Sequence, residues 1–480
     1  MNKVVHHWGA YIRNQEAVAQ AIARKEYQEV IPTGVGMVDE FFALMEQVGI
    51  LARLRVAGVY QRRLIPLVLL VATYSVKVII GLSSLNQLPT HLFRDAGLLR
   101  RIGYTARQLD EGFCKRGKGK ALPIHKNTVG DALGRLTEEE SRGIFDGSVQ
   151  DLTKARLVKD TVFSLDGMEM HTTKHYPGAG HITSTKEVTD KWGRMRTVTS
   201  TRYGHLLLSL WGVDSNTVAA ADVDKIGTTE HLYVLPLVRR GKAAGLRIKI
   251  LLMDGGFCVG GTLWRLKHQE KVDFIVPADS NMCITEDARS LAQLAEGSAV
   301  EENKEFRAVG VKGLTTYPAY QPPKGEKRRG PKATLNAVVV TRWKGEDVPV
   351  EEQTVLLTTL PVNHPLYILE LYRKRAEMEN TLHRDLKQGW YIEHFPNKQY
   401  LACLAHIYLT LTLYNVSCAY KTERGQKLAG MGIRRLRAEH LGDRAFLLIV
   451  YTDTEFGVFD IEEFACLSGN PPRRFHCYKP

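Results

Sequence analysis

Three acidic residues sit where their surroundings give a carboxylate something to do. Asp166 closes the apolar run TVFSLDG, and Asp254 closes RIKILLMDGG. Glu379 lies in the segment 366–389, LYILELYRKRAEMENTLHRDLKQG, which has the strongest helical pattern in the chain. An isolated aspartate after a strand is usually a turn former. Two endings of the form apolar run, Asp, Gly are more informative, because glycine lets the chain turn sharply and leaves the carboxylate at the strand end. On the helix, Tyr372, Arg375, Glu379, His383 and Leu386 fall within about 40° of one line at ~100° per residue, with Lys387 near the edge of that face. Surface ion pairs at this spacing are common, so the helix face alone has a purely structural reading too. Three carboxylates gathered within ~4 Å would repel one another by roughly 4 kcal/mol per pair at an effective dielectric of ~20. Such a cluster calls for a divalent cation, and oxygen donors without Cys or His favour Mg²⁺ or Mn²⁺ over Zn²⁺.

The elements that would carry these residues can be read in order. After the strand ending at Asp166, residues 195–212 form a strand with a kink expected at Gly204, and residues 213–216 turn. TVAAADV returns as a further strand, 228–244 reads as a helix despite Pro236, and Ile248 to Met253 form a buried strand. The stretch from Asp254 to Glu379 is longer than one more strand and a helix require. It holds VDFIVP, a polar loop-rich stretch, and β-patterned runs at LNAVVVTRW and EQTVLLTTLP, which read as a strand followed by a mostly-β insertion over 280–362.

The chain has 480 residues, which suggests roughly three domains. Hydrophobic residues at 44% and charged residues at 24% exclude a disordered, collagenous or many-span membrane protein. Lys and Arg exceed Asp and Glu by 65 to 52, a formal charge of +13, which favours a polyanionic partner. Most of that excess lies between Leu51 and Lys126, where fourteen cations face three acids. Residues 105–116 look helical, a loop GKGKALP follows, and a second helix starts near Asn127, a good N-cap, with Val129, Leu133 and Leu136 on its apolar stripe. This suits a helical DNA-binding module in which Lys115, Arg116, Lys118, Lys120, Lys126 and Arg135 meet phosphates. A helical bundle with a solvated basic face has the same composition. KGEKRRGPK offers a second basic patch through Lys324, Lys327, Arg328 and Arg329, in a loop context.

Seven scattered cysteines without a C-x-x-C pair argue against a disulfide framework and for a reducing cytosol. No signal peptide is expected at the N-terminus, and the apolar stretch 64–82, broken by Pro66 and Lys77, reads as a buried helix rather than a membrane span. His171, His175 and His181 (HTTKHYPGAGH) make a weaker zinc alternative in a Gly/Pro loop.

Asp166, Asp254 and Glu379, taken with Tyr372-x-x-Arg375-x-x-x-Glu379 and the following Lys387, resemble the insertion-sequence DDE transposases of the IS-four type. Their signature places a lysine after six intervening residues, at the seventh position beyond the glutamate. Here Leu386 takes that position and Lys387 follows it, so His383 and Arg384 join Lys387 as candidates for the lysine's role. The resemblance covers roughly residues 160–420.

The resemblance implies an α/β RNase H-like core, a mixed five-stranded sheet flanked by helices, with an all-β insertion and an α-helical N-terminal DNA-binding region. The expected organisation is 1–155 helical and DNA-binding, 156–279 first part of the core, 280–362 insertion, 363–420 catalytic helix, and 421–480 a helical C-terminal tail. The activity implied is metal-dependent cleavage at element ends followed by 3′-hydroxyl strand transfer, with two Mg²⁺ or Mn²⁺ ions per site. Asp166 would bridge the two, and Asp254 and Glu379 would each hold one. Tyr372, Arg375 and Lys387 would hold the phosphates of a DNA end, and Trp343, in the insertion, would stack a flipped base. The implied partners are double-stranded DNA and a second copy of the chain in a synaptic dimer; the implied setting is a bacterial cytoplasm. A metal-dependent nuclease of the same fold without strand transfer, and a non-catalytic DNA-binding regulator derived from a transposase, remain as alternatives.

Overall fold

The computed structural model describes residues 11–34, 36–55, 59–60, 65–113, 123–174, 176–189, 193–294, 299–322, 333–342, 353–424, 428, 430–442 and 447–469. The chain divides into two compact units, Leu152–Arg384 and the combination of Met1–Asp151 with Asp385–Pro480.

The unit Leu152–Arg384 is built on a large mixed sheet. Its strands are β1 (Val162–Thr172), β2 (Gly180–Thr189), β3 (Met195–Gly212), β4 (Val218–Lys225), β5 (Ile250–Met253), β6 (Asp273–Pro277), β7 (Ala299–Glu302), β8 (Phe306–Leu314), β9 (Leu335–Arg342) and β10 (Thr354–Thr358). Five of them run β4-β3-β1-β5-β6, with β1, β3 and β4 antiparallel and β5 and β6 parallel to β1. The parallel pair requires a crossover, and the helix α1 (Val234–Ala243) provides it between β4 and β5. The centre of the sheet is apolar on both faces: Leu165, Leu210, Leu251, Leu252, Met253 and Ile275 are all fully buried. This matches the expected five-strand core.

Four details differ from the expectation. Strand β1 does not end at Asp166 but runs on to Thr172, still paired with β3, so Asp166 and Gly167 lie within it. Strand β3 does not break at Gly204, which pairs with both His171 on β1 and Gly180 on β2. Glycine is needed there because a Cβ would collide with the Met170 carbonyl, so the residue marks a close backbone approach rather than a kink. The 280–362 segment is not all-β, since it contains the helix Cys283–Leu294. Its strands also continue the same sheet, because β10 pairs antiparallel with β6 and β9, β8 and β7 follow in turn. Alone, the five-strand core would leave the outer edge of β6 unpaired, and the added strands satisfy those backbone groups.

The other unit takes in both ends of the chain. Its four-stranded sheet runs Ile12–Arg13, Glu455–Asp460, Leu447–Tyr451, Glu29–Thr33, so the N-terminal region is not wholly helical and the C-terminal tail is part strand. Val18 and Ile22 pack on Val450 and Phe459 from the far end of the sequence. The helices Leu67–Ile79 and Tyr400–Arg424 are buried, and the Tyr74 hydroxyl and His406 Nδ1 lie 2.8 Å apart. Tyr400–Arg424 is long and apolar enough to cross a membrane by length and composition, and its apolar window is 94% buried inside the protein.

Candidate active site

Sheet register brings the two aspartates together. Leu165 of β1 pairs with Met253 of β5, so Asp166 and Asp254 are each the next residue along two adjacent parallel strands. Neighbouring strands lie about 4.8 Å apart, so register alone makes the two carboxylates neighbours. Asp254 then leaves the sheet into the short turn Gly255–Phe257.

Glu379 arrives from the helical segment that begins with Pro365–Arg373. The start of that helix is anchored by the added strands: Glu301 of β7 accepts the Leu366 N–H at 2.9 Å and lies 3.0 Å from His364 Nδ1. That contact holds the Glu301 carboxyl below its ordinary range, with the His364 interaction the larger cause. Past Glu377 the backbone widens into a π-helical turn, Met378–His383, whereas the sequence predicts an even α-helix. Single π turns of this kind recur at functional sites. The wider turn removes His383 from the straight α-helical line, and its ring is part-buried while Arg384 is exposed.

At the centre stands Arg375. Its guanidinium lies 3.2 Å from Glu379 Oε1, 3.6 Å from Asp166 Oδ2 and 3.9 Å from Asp254 Oδ1. One planar cation thus touches carboxylates from two strands and a helix. It also lies 6.0 Å from the centre of the Tyr372 ring. Burial works against the charge on Arg375, but Tyr372 and the three acids outweigh it and its pKa is raised. Side chains of Asp166 and Arg375 are 15% exposed, those of Asp254 and Glu379 more than half exposed, so the site has a buried floor with two exposed acids above it. Burial pushes the Asp166 carboxyl up to about 6; the Gly167 N–H and Arg375 oppose that rise, while Glu379 and Glu230 add to it.

Two groups here have no counterpart in the sequence reading. Ser209, directly across from Asp166 on β3, is fully buried, and its hydroxyl has no partner among the described residues. Glu230, at the start of the turn Glu230–Tyr233, has a pKa raised by burial and then by Glu169 and Asp254. Neither lies in a motif; only cross-strand register and tertiary packing reveal them.

A family model for the transposase DDE domain matches residues 158–416, more than half of the chain. The chain belongs to that family. Membership implies transposase activity, and DDE transposases use divalent metal ions. No curated protein matches in sequence. Among solved structures, the cryo-EM structure of the piggyBac transposase synaptic complex with hairpin DNA aligns over 93% of this chain and 82% of that one, at 8% identity and a TM-score of 0.36.

The residues of this DDE domain fit a hard divalent cation. The donors are all carboxylate oxygens, negative charge exceeds positive, and an unpartnered hydroxyl lies beside Asp166. Among the described residues no three His, Cys, Asp or Glu are close enough as they stand to hold an ion, because the acids are arranged around the guanidinium. That also leaves the His171–His181 zinc alternative without support from described residues, His175 lying outside them.

The remaining sequence candidates divide. Lys387 belongs to the other unit, where it pairs with Glu393 at 3.2 Å. Lys126 donates to Asn86, and Arg135 is exposed. The helix there spans Lys126–Leu133 and is capped by His125, whose Nδ1 accepts the Asn127 N–H, so Asn127 is inside the helix rather than its cap. Helix 105–116 shortens to Ala106–Glu111, ended by Gly112 at positive φ. Lys115, Arg116, Lys118, Lys120, Lys324, Lys327, Arg328, Arg329 and Trp343 lie outside the described residues. Much of the basic excess in 51–126 is also spent internally. Arg53 pairs with Asp151, Arg100 with Glu29 and Arg101 with Asp39, the last pair buried, and Lys77 is buried as well.

Proposed function

We propose that this chain is a DNA transposase of the IS-four type, which cuts at the ends of an insertion sequence and joins the freed 3′-hydroxyl to target DNA. The observation that carries the reading is the single guanidinium of Arg375 reaching Asp166, Asp254 and Glu379 within 3.9 Å. Asp166, Asp254 and Glu379 would hold two divalent ions, Mg²⁺ or Mn²⁺. Bound there, the ions supply activation of water or a 3′-hydroxyl and stabilisation of the leaving oxygen.

The chain's own residues do the rest. In the free protein Arg375 acts as the shared counter-ion of the three acids. With a DNA end present it serves as a planar fork for phosphate, a geometry lysine does not offer. Tyr372 supports that guanidinium, and His383 and Arg384 extend the phosphate-binding strip. Lys126 and Arg135, with the cations of 115–120 and 324–329, contact DNA further out, and Trp343 stacks a flipped base. The working form is a homodimer holding two element ends in a bacterial cytoplasm. The RNase H-like core and its sheet-extending insertion form the catalytic body.

The test is a cleavage and strand-transfer assay with Mg²⁺ on DNA bearing the inverted repeats that flank the gene. Asp166→Asn, Asp254→Asn and Glu379→Gln should each reduce cleavage by about a thousandfold or more, the equivalent of several kcal/mol of barrier, with DNA binding retained. Cleavage that survives any of these changes removes the assignment. Cleavage without joining of a marked donor identifies a nuclease, and binding without cleavage a regulator.

A further inference from the structure

Glu230 opens the turn Glu230–Tyr233 between β4 and α1, and the transposase signature does not include it. Three contacts put it beside Gly167 within β1 and at the end of β5, next to both aspartates. Its carboxylate lies over the Cα of Gly167, where a Cβ would sit 2.6 Å from Oε2 and 3.0 Å from Oε1. Glycine after Asp166 is therefore what makes room for Glu230. The Glu230 turn also packs against Gly255–Phe257, the turn that directly follows Asp254. Tyr233, at the far end of the same turn, donates its hydroxyl to Asp224 at the end of β4, which ties the turn to the sheet. Glu230 thus meets the chain immediately after both aspartates.

No protein group answers its charge. Among the described residues the Glu230 carboxylate has no hydrogen bond and no ion pair. Glu169, two positions beyond Gly167 and on the same face of β1, is paired with Arg202 at 2.7 Å, so that arginine is taken. Arg375 is shared among the other three acids. Successive side chains on a strand point to opposite faces, so Glu230 approaches β1 at Gly167 from the side opposite the Asp166 side chain. A half-buried carboxylate without a partner is costly, and a cation arriving between the acids removes that cost.

We propose that Glu230 is a fourth carboxylate of the divalent-cation pocket, added to Asp166, Asp254 and Glu379 from beside Gly167 and the end of β5. It rests on the reading that those three residues hold the ion. Glu230 acts as a positioning residue: it adds negative charge next to the two aspartates and accepts hydrogen bonds from water around the cation.

The experiment is a Mn²⁺ titration of the full-length, DNA-free protein, with free Mn²⁺ followed by electron paramagnetic resonance and thermal melting measured in parallel without metal. Glu230→Gln should weaken Mn²⁺ binding about tenfold, the size of effect seen when groups surrounding a metal site are removed. Its melting temperature without metal should stay level or rise, because a like charge is lost. Gly167→Ala, whose Cβ displaces the carboxylate, should weaken Mn²⁺ binding to a similar degree and add little in the Glu230→Gln background. Wild-type Mn²⁺ affinity in Glu230→Gln, alongside lost affinity in Asp254→Asn, overturns the role of Glu230 and leaves the three-acid reading standing. Wild-type affinity in both overturns the reading underneath. A lower melting point for Glu230→Gln without metal assigns the residue to structure and also overturns the proposal.

Discussion

Asp166 and Asp254 occupy the same step of two adjacent parallel strands, each one residue beyond the paired Leu165 and Met253. Hydrogen-bond register, set by the buried apolar residues of β1 and β5, therefore decides the separation of the two acids. The site is pre-built in the sheet, and the helix bearing Glu379 completes it.

The raised pKa of Asp166 links stability to pH. Its folded value, about 6, lies above the ordinary 3.8, so the folded protein holds that proton more tightly than the unfolded chain does. The resulting stability is present below pH ~4 and is lost as pH rises through about 6. Asp166→Asn removes the loss. Without divalent ions at pH 7.5 the variant should melt several degrees above wild type, from a ceiling of ~3 kcal/mol for a shift of this size. Below pH 4 the two should melt together. Equal melting points across the whole series would show that the carboxylate is not held in a charge-opposing environment.

Mn²⁺ binding should be proton-linked for the same reason. A cation competes with the proton on Asp166, so affinity should fall by up to about tenfold per pH unit below pH ~6 and level off above pH 7. Calorimetric titrations in buffers of different ionisation enthalpy count the proton released. A pH-independent affinity excludes Asp166 as a ligand.

Arg375→Ala should destabilise the metal-free protein by about 1–3 kcal/mol, between the values for exposed and buried ion pairs, since Asp254 and Glu379 are half exposed. Added Mg²⁺ should recover most of that loss by replacing the missing cation. Arg375→Lys should restore stability but not cleavage, because it keeps the charge and loses the fork. Denaturant melts with and without Mg²⁺ read both effects, and no Mg²⁺ recovery in Arg375→Ala would separate the guanidinium from the cation pocket.

Glu301→Ala tests whether the added strands hold the catalytic helix. It removes the acceptor of the Leu366 N–H and the partner of His364. The expected cost is about 1 kcal/mol, as for a lost helix cap. Cleavage should fall while Mn²⁺ affinity is kept at the level set by Asp166 and Asp254. Unchanged stability and cleavage would mean the helix start is held by packing alone.

DNA binding should weaken by about a thousandfold or more between 50 and 200 mM salt if six or more phosphates are contacted. The buried and paired cations, Arg101 and Lys77 among them, should contribute nothing to that slope. Arg135→Ala should reduce the slope by about one, as loss of a single phosphate contact does. A flat response removes the N-terminal region from the interface.

The sequence by itself singled out the three acids, the strand–Asp–Gly ending at Asp254, the order of antiparallel strands, crossover helix and parallel strand, and the helix that carries Glu379; it placed the end of β1 too early, at Asp166, where the strand runs on to Thr172. Those features are local: apolar runs, glycines and helical spacing report burial and turning within a dozen residues. Tertiary structure alone decided that Asp166 and Asp254 share a register step, that Arg375 is common to all three acids, and that Glu230 lies over Gly167. It also decided that strands 299–358 extend the core sheet from β6, and that residues 12–33 pair with 447–460. The charge count of 51–126 overstated the basic surface, because it could not show Arg53, Arg100 and Arg101 meeting acids outside that stretch. The reason is the same in each case. Contacts between residues far apart in the chain depend on which edges and faces remain unsatisfied after local folding, and no short pattern records that.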